Sequence, residues 1–453
     1  MVGAFDGGRV SSDAGVLLLR EVAERTGLVR RFAACFTDHR DPRLIEHTVE
    51  ELIAQRVLAN ACGYEDLNDH DVLRDDALLA AAAGKRDATG QTRRRARDRG
   101  HALAGKSTLN RLERTPAWAT AKSRYHKIVY HGAAIEDFFV EAFLEAYAEP
   151  PPEIVLDLDA TDDPVHGRQE GRFFHGYYRA YCYLPLYIFC GEHLLCARLR
   201  RADGDGAAGA VEELRRIVAQ IRARWPDVAI TIRADSGFAR DEIMRFCEEQ
   251  RIDYVLGLAR NARLEAAIEA ELVQARALCE ATSAPARVYK DFRYRTQKTW
   301  SRERRVVGKA EHLLGKANPR FVVTSLGADR APALELYEQL YCARGDMENR
   351  IKEQQLALFA DRTSTATMRG NQLRLWLASL SYVLVHELRR VGLVGTALAR
   401  AQVGTIRTRL LKIGALVKVS VRRICVALSS VFPLQTLFAK VLGNLQRAYP
   451  LRT

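Results

Sequence analysis

Two periodicities divide this chain. From residue 12 to about residue 83, apolar positions recur at helical spacing. Ser12 or Asp13 can cap a helix carrying Val16, Leu17, Leu18, Val22 and Leu28, and residues 48–61 predict a second. A further helical stretch contains Trp118 and residues 138–147. It stops at Pro150-Pro151-Pro152, which cannot continue a helix and marks a domain boundary. Beyond it the pattern becomes strand-like. Residues 154–159, 177–189 and 194–200 read as a three-stranded meander. An amphipathic helix over 207–225 follows, through Val211, Leu214, Ile217, Val218 and Ile221. A strand over 228–234, a helix to Gln250 and a strand over 254–258 complete a β-β-β-α-β-α-β order.

Strand-like pieces near 288–294, 304–307 and 321–324 predict a β-rich insertion. From Asn371 a helical, basic pattern runs through Arg407, Arg409, Lys412, Lys418, Arg422 and Arg423, for which DNA or subunit contact fits better than a membrane surface. The chain therefore divides into a helical N-terminal part (1–150), a core in two pieces (151–260 and 331–370), an insertion (261–330) and a helical tail (371–453).

Carboxylates fall at the ends of these elements. Asp157 and Asp159 close an apolar run, two apart and so on one face of a strand. Either could be a metal ligand, and a capping Asp at a strand end is the alternative. Asp235 follows the run 228–232, and Glu348 lies in a long amphipathic helical pattern with Tyr341 and Arg344 at i, i+3 and i+7. Carboxylates from two strand ends and one helix can converge on paired divalent cations, which clamp the attacking and leaving oxygens of an in-line phosphodiester displacement. Arg344 could then contact a phosphate while Glu348 faces the metals.

Charge points the same way. A 453-residue chain, 48% hydrophobic and 28% charged, is of ordinary globular composition, but a net charge of +13 and a pI near 9.4 imply a polyanionic partner. Arg93, Arg94 and Arg95, followed by Arg97 and Arg99, read either as a plain exposed loop or arm or as a phosphate contact. No apolar run approaches the roughly 18 residues of a membrane span, and the start shows no signal-peptide pattern. The nine cysteines are scattered, and Cys182, Cys190, Cys196 and Cys247 sit in apolar patterns. A reducing, cytoplasmic compartment is expected.

Three further stretches join the carboxylates in a recognisable pattern: Gly63-Tyr64-Glu65-Asp66-Leu67-Asn68-Asp69, Ser107-Thr108-Leu109-Asn110-Arg111-Leu112-Glu113, and residues 159–167 ending in His166-Gly167. With Tyr341, Arg344 and Glu348 in a Y-x2-R-x3-E spacing, the chain resembles the DDE transposases of bacterial insertion sequences, group 1, of the thirteen-eighty type. The resemblance covers nearly the whole chain. It implies an α/β fold: an RNase H-like mixed-sheet catalytic core interrupted by a β-rich insertion domain, with a helical N-terminal DNA-binding domain and a helical C-terminal tail.

The resemblance also selects Asp159 from the D-x-T pattern and implies Asp159, Asp235 and Glu348 as catalytic ligands of two Mg²⁺ ions, for which Mn²⁺ can substitute. Implied too are cleavage at terminal inverted repeats, joining of the 3′-hydroxyl to target DNA, a homodimer in the synaptic complex, and a bacterial, nucleoid-associated location. The family Lys expected seven residues after the Glu is Gln355 here. Lys352 is a substitute DNA contact or a plain helical ion-pair partner of Glu348. Trp300, flanked by Lys298 and Arg302, matches the insertion-domain Trp that related transposases stack on a flipped base; a core Trp is the alternative. A structure-specific nuclease with this core, cutting without joining, is one rival reading, and a catalytically silent DNA-binding derivative is another.

Other motifs carry less. Asp162, Asp163, His166, Glu170 and His175 fit no tetrahedral zinc spacing and read as a turn shaping the site. Asp66, Asp69, His70, Asp71, Asp75 and Asp76 read as caps and surface polarity rather than a calcium loop. Residues 100–107 satisfy the P-loop pattern, yet the basic run before them cannot be the buried strand such a loop needs, so no ATP site is expected.

Overall fold

The computed structural model describes residues 3–4 and 6–449. They form two compact units. One comprises residues 139–162 and 173–350; the other comprises residues up to 138, 163–172 and from 351 onward.

The first unit is built on a nine-stranded mixed sheet. Its strands are β1 (Glu153–Ala160), β4 (Leu186–Cys190), β5 (His193–Arg198), β6 (Ala229–Ala234), β7 (Asp253–Leu258), β8 (Ala286–Tyr294), β9 (Arg304–Leu313), a short Lys316–Ala317 piece, and β10 (Arg320–Thr324). Two further strands, β2 (Phe173–His175) and β3 (Ala180–Tyr183), pair with each other as a hairpin. The order across the sheet is β8-β9-β10-β7-β6-β1-β4-β5. Only β1, β6 and β7 run parallel, and all other neighbours are antiparallel.

Side-chain alternation gives the sheet two faces. Ile154, Leu156 and Leu158 of β1, with Ile230, Ile232 and Ala234 of β6, share a core with Leu214, Ile217, Val218 and Ile221 of helix α1 (Ala210–Arg224) and Ile243, Met244 and Cys247 of α2 (Asp241–Glu249). On the other face Val255, Val307 and Val322 pack with Leu336 and Tyr337. The chain leading to Glu348 is therefore anchored on the face opposite the helices.

Several expected elements take a different form. Residues 177–189 are two strands rather than one, because Leu184 and Pro185 interrupt them and Pro has no amide to donate. The insertion is no separate β-domain: helices Ala262–Ala267 and Glu269–Thr282 are followed by β8, β9 and β10, and β10 pairs with β7, so the strands extend the central sheet. The helix carrying Glu348 is broken. Wide π turns at Leu336–Tyr341 and a tight turn at Cys342–Arg344 precede α3 (Gly345–Lys352). Such irregular turns re-aim side chains and cluster at functional sites.

The second unit is mainly helical. Thr48 caps Val49–Cys62 with a reciprocal Glu51 capping box, and residues 52–62 of that helix are buried throughout. The long helix Met368–Glu387 packs beside it, and Ser381 donates to the Val57 carbonyl at 3.0 Å. The tail departs from an all-helical reading: Ala415–Val419 and Ile424–Leu428 pair as a hairpin, and Arg9–Ser11 joins its edge. Among the described residues, no helix is long and apolar enough to cross a membrane.

Candidate active site

Parallel pairing sets the geometry. Leu158 of β1 lies opposite Ala234 of β6, so the next residues, Asp159 and Asp235, emerge at the same end of neighbouring strands. One step back, Asp157 lies opposite Arg233. That pair settles which of the two β1 aspartates is spoken for. Arg233 Nε and Nη2 donate to both Asp157 oxygens at 2.5 and 2.8 Å, and Arg233 Nη1 donates to the Leu340 carbonyl at 2.6 Å. Asp157 is thus a buried carboxyl that ties two strands to the segment before Arg344; burial raises its pKa against the pull of Arg233. Asp159 makes no such bidentate pair.

Arg344 lies between the remaining carboxylates. Its Nη2 donates to Glu348 Oε1 at 2.5 Å, and its Nη1 is 3.8 Å from Asp159 Oδ2. Burial pushes the Asp159 carboxyl up to about 7; Arg344 opposes the rise, and the charges of Asp235 and Glu348 add to it. At neutral pH this carboxylate calls for a proton or a cation. Asp235 turns one oxygen to the Gly237 amide at 2.9 Å. As placed, no group of three His, Cys, Asp or Glu among the described residues is poised around a metal ion. Asp159, Asp235 and Glu348 supply carboxylate oxygens, the hard donor type that Mg²⁺ and Mn²⁺ take.

Tyr341 belongs to the same corner. A Cβ added at Gly257 would collide with the Tyr341 hydroxyl and lie 2.9 Å from the Ser236 amide. Glycine at 257 on β7 is therefore what lets Tyr341 close over the turn after Asp235. Neither Gly257 nor Arg233 stands out in the sequence. Arg233 is identified only by its register opposite Asp157 in the folded sheet, whereas Gly257 carries a weak sequence signal, a lone glycine inside an apolar strand.

The other sequence candidates lie as follows. Lys352 is exposed, and Glu348 pairs with Arg344. Gln355 donates to Asp163 at 2.9 Å, and Glu170 accepts from the Met368 amide at 3.0 Å, so both acids serve local structure. Asp66 and Asp76 cap helical turns, and Asp71 pairs with Lys106 at 3.0 Å. The P-loop-like Lys106 also donates to Asn68 at 3.2 Å. The stretch directly before Gly100 holds the short turn Ala96–Asp98 rather than a strand, and Gln55 clamps both backbone groups of Ala104.

Trp300 is 4% exposed, set edge-on to Tyr294 at 5.7 Å with Arg304 over its ring. In this position it fills core. Trp300→Ala is expected to lower unfolding free energy by about 3 kcal/mol, since a buried Trp leaves a large cavity; urea denaturation measures it, and a loss below 1 kcal/mol would mean the ring is dispensable for packing.

In the helical unit, Arg93 is held by Glu46 at 3.1 Å and by the His101 carbonyl at 2.8 Å. Arg94 is exposed, its amide bonded to Glu46 at 2.9 Å. Arg95 lines a cavity of about 450 Å³ together with Arg97, Arg111, Ser107 and Thr108. His47, also lining it, is driven down to about 3 by burial and by the charges of Lys85 and Arg93, and is neutral. A larger cavity of about 730 Å³ beside Glu248 and Arg305 is remote in kind: Arg304 is paired with Asp241 and Glu248, and Arg305 with Asp291.

Comparison with known proteins adds three findings. The family described as transposase DDE domain, group 1, matches residues 1–450. Among solved structures, the piggyBac transposase synaptic complex with hairpin DNA is similar at a TM-score of 0.40 and 10% identity, covering 98% of this chain and 83% of that one. Compared by sequence with curated proteins, the chain matches none.

Proposed function

This chain belongs to the group 1 DDE transposase family, and we propose that it cleaves DNA at the terminal inverted repeats of an insertion sequence and joins the resulting 3′-hydroxyl to target DNA. One observation carries the reading. Asp159 and Asp235 leave adjacent parallel strands at the same end, and Arg344 joins Asp159 to Glu348.

In this reading Asp159, Asp235 and Glu348 hold the catalytic cations. Bound Mg²⁺ or Mn²⁺ supplies activation of the attacking oxygen and stabilisation of the leaving one. The protein's own part is positional. Arg233 fixes Asp157, which keeps the β1 and β6 ends in register. Arg344, released from Glu348 and Asp159, turns its fork to a DNA phosphate. Tyr341 closes over the Asp235 turn. Arg94, Arg95 and the exposed Lys352 offer phosphate contacts, and Arg93 braces the arm through Glu46. The enzyme acts as a homodimer on paired ends in a bacterial cytosol.

Incubating the protein with Mg²⁺, a terminal-repeat duplex and a supercoiled target tests this. Nicked ends and joined products are expected. Cleavage without joining would reduce the protein to a nuclease, and neither product would refute both. Binding itself is expected to weaken steeply with salt, with a log–log slope of several units if about six or more phosphates are contacted. A flat response in electrophoretic titrations between low and physiological salt would remove the basic stretches from the interface.

A further inference from the structure

Exposed aromatic rings are normally scattered singly over a protein surface. Here four fall within nine residues. Phe173 is 44% exposed, Phe174 50%, Tyr177 84% and Tyr181 46%. All belong to the β2–β3 hairpin, whose register sets Phe174 opposite Tyr181, their rings edge-to-face at 5.5 Å. At the turn, Tyr177 meets Tyr178 at 5.0 Å, almost perpendicular. Arg179 holds a left-handed backbone there, φ 54°, with its amide bonded to the His175 carbonyl at 2.8 Å. A non-glycine residue in that conformation costs free energy, so the turn keeps an exposed cation at the tip at some expense.

The hairpin's inner side explains its anchoring and leaves its outer rings unexplained. Cys182 and Leu184 are buried with Ala202, and both Tyr178 and Ala160, the residue after Asp159, pack on that cluster. Phe174, Tyr177 and Tyr181 contribute little to that core. No Asp or Glu occurs between Gly171 and Cys190, whereas Arg172 and Arg179 flank the rings. Flat apolar faces, cations and an absence of carboxylates suit a strand that offers bases to stack and phosphates to neutralise.

We propose that the β2–β3 hairpin is a stacking platform for unpaired bases of the DNA strand at the cleaved end, with Tyr177 and Phe174 as the rings that contact them. Because Tyr178 of the hairpin and Ala160 pack on one cluster, the platform adjoins the carboxylate at which cutting is proposed. This inference rests on the DNA-cleaving reading above. It also assigns stacking to rings that are open to solvent, whereas Trp300 is enclosed.

The test compares wild-type protein, Tyr177→Ala, Phe174→Ala, the double variant and Tyr177→Trp in Ca²⁺ buffer. Two probes are used: a blunt duplex, and the same duplex with a single-stranded extension of about ten nucleotides carrying 2-aminopurine. Wild-type protein is expected to quench the 2-aminopurine. The double variant is expected to bind the extended probe about tenfold more weakly and to leave it unquenched, while blunt-duplex binding stays within about twofold. Tyr177→Trp is expected to retain the quench. Tyr177 is so exposed that its removal leaves folding intact, and the thermal midpoint checks this. Unchanged affinity and quenching in the double variant would overturn the platform alone. Equal losses on both probes would also overturn it, as would loss of self-association in sedimentation with DNA binding intact, which would give the surface to a second copy. Failure of wild-type protein to bind either probe would instead overturn the DNA-cleaving reading and this inference with it.

Discussion

Replacing Asp159, Asp235 or Glu348 singly by Ala is expected to cut DNA cleavage by about a thousandfold or more, while duplex affinity stays within a few fold. The first effect follows from the several kcal/mol that a bound cation contributes to a phosphoryl-transfer transition state, at about 1.4 kcal/mol per tenfold in rate. The second follows because phosphate contacts by Lys and Arg need no metal. A readout apart from activity comes from Mn²⁺: the wild-type thermal midpoint should rise with added metal and that of each variant should not. Wild-type cleavage in any one variant would remove that residue from the site.

Asp159 adds a pH signature. Its carboxyl lies at about 7 in the folded protein against a usual 3.8, chiefly through burial. A carboxyl raised in this way favours the folded state when protonated, so its contribution is present below about pH 4 and is lost as pH rises to 7. Asp159→Asn, neutral throughout, should remove that decline. In metal-free chemical denaturation the variant should gain on the wild type between pH 4 and pH 7. A constant difference across that window would mean the folded carboxyl titrates normally.

The core strands were legible because they obey local rules. Residues 154–159 and 228–234 alternate or run apolar between turn residues, and an Asp closes each. What sequence could not supply was pairing. Asp157 and Asp159 are equivalent by period, and only the register opposite Arg233 separates them. The strands after residue 285 were visible as strands, yet nothing local says that β10 pairs with β7 rather than closing a separate sheet. The helical period around Tyr341 concealed π and tight turns, which depend on packing of Leu336 and Tyr337 against Val255 and Val322. In the tail, Ala415–Val419 and Ile424–Leu428 are short, and their strand signal was hidden among the basic residues Lys418, Arg422 and Arg423.

The motif around Ser107 and Glu113 shows a different gap between recognising a pattern and knowing its work. Glu113 is fully buried, with no exposed surface, and its two oxygens accept from Arg56 Nε at 3.0 Å and Arg374 Nε at 2.7 Å. Arg56, itself buried, reaches on to Asn60 at 3.3 Å and to His70 at 3.2 Å. His70 meets Gln55 at 2.9 Å, the residue that clamps Ala104. One carboxylate thus neutralises two guanidinium groups and joins three helices of the unit. Glu113→Ala is expected to lower unfolding free energy by about 3–4 kcal/mol, because it leaves the buried Arg56 and the part-buried Arg374 without a counter-charge. Glu113→Gln keeps the volume and one acceptor and should cost less. Restoring an apolar triad, with Arg56→Met and Arg374→Leu added to Glu113→Leu, should recover most of the loss, since the cost arises from unpaired charge rather than from an empty site. Urea denaturation of the set measures all three. A Glu113→Ala variant within about 1 kcal/mol of wild type would show that water or a mobile anion reaches these arginines, and that the cluster is no closed core.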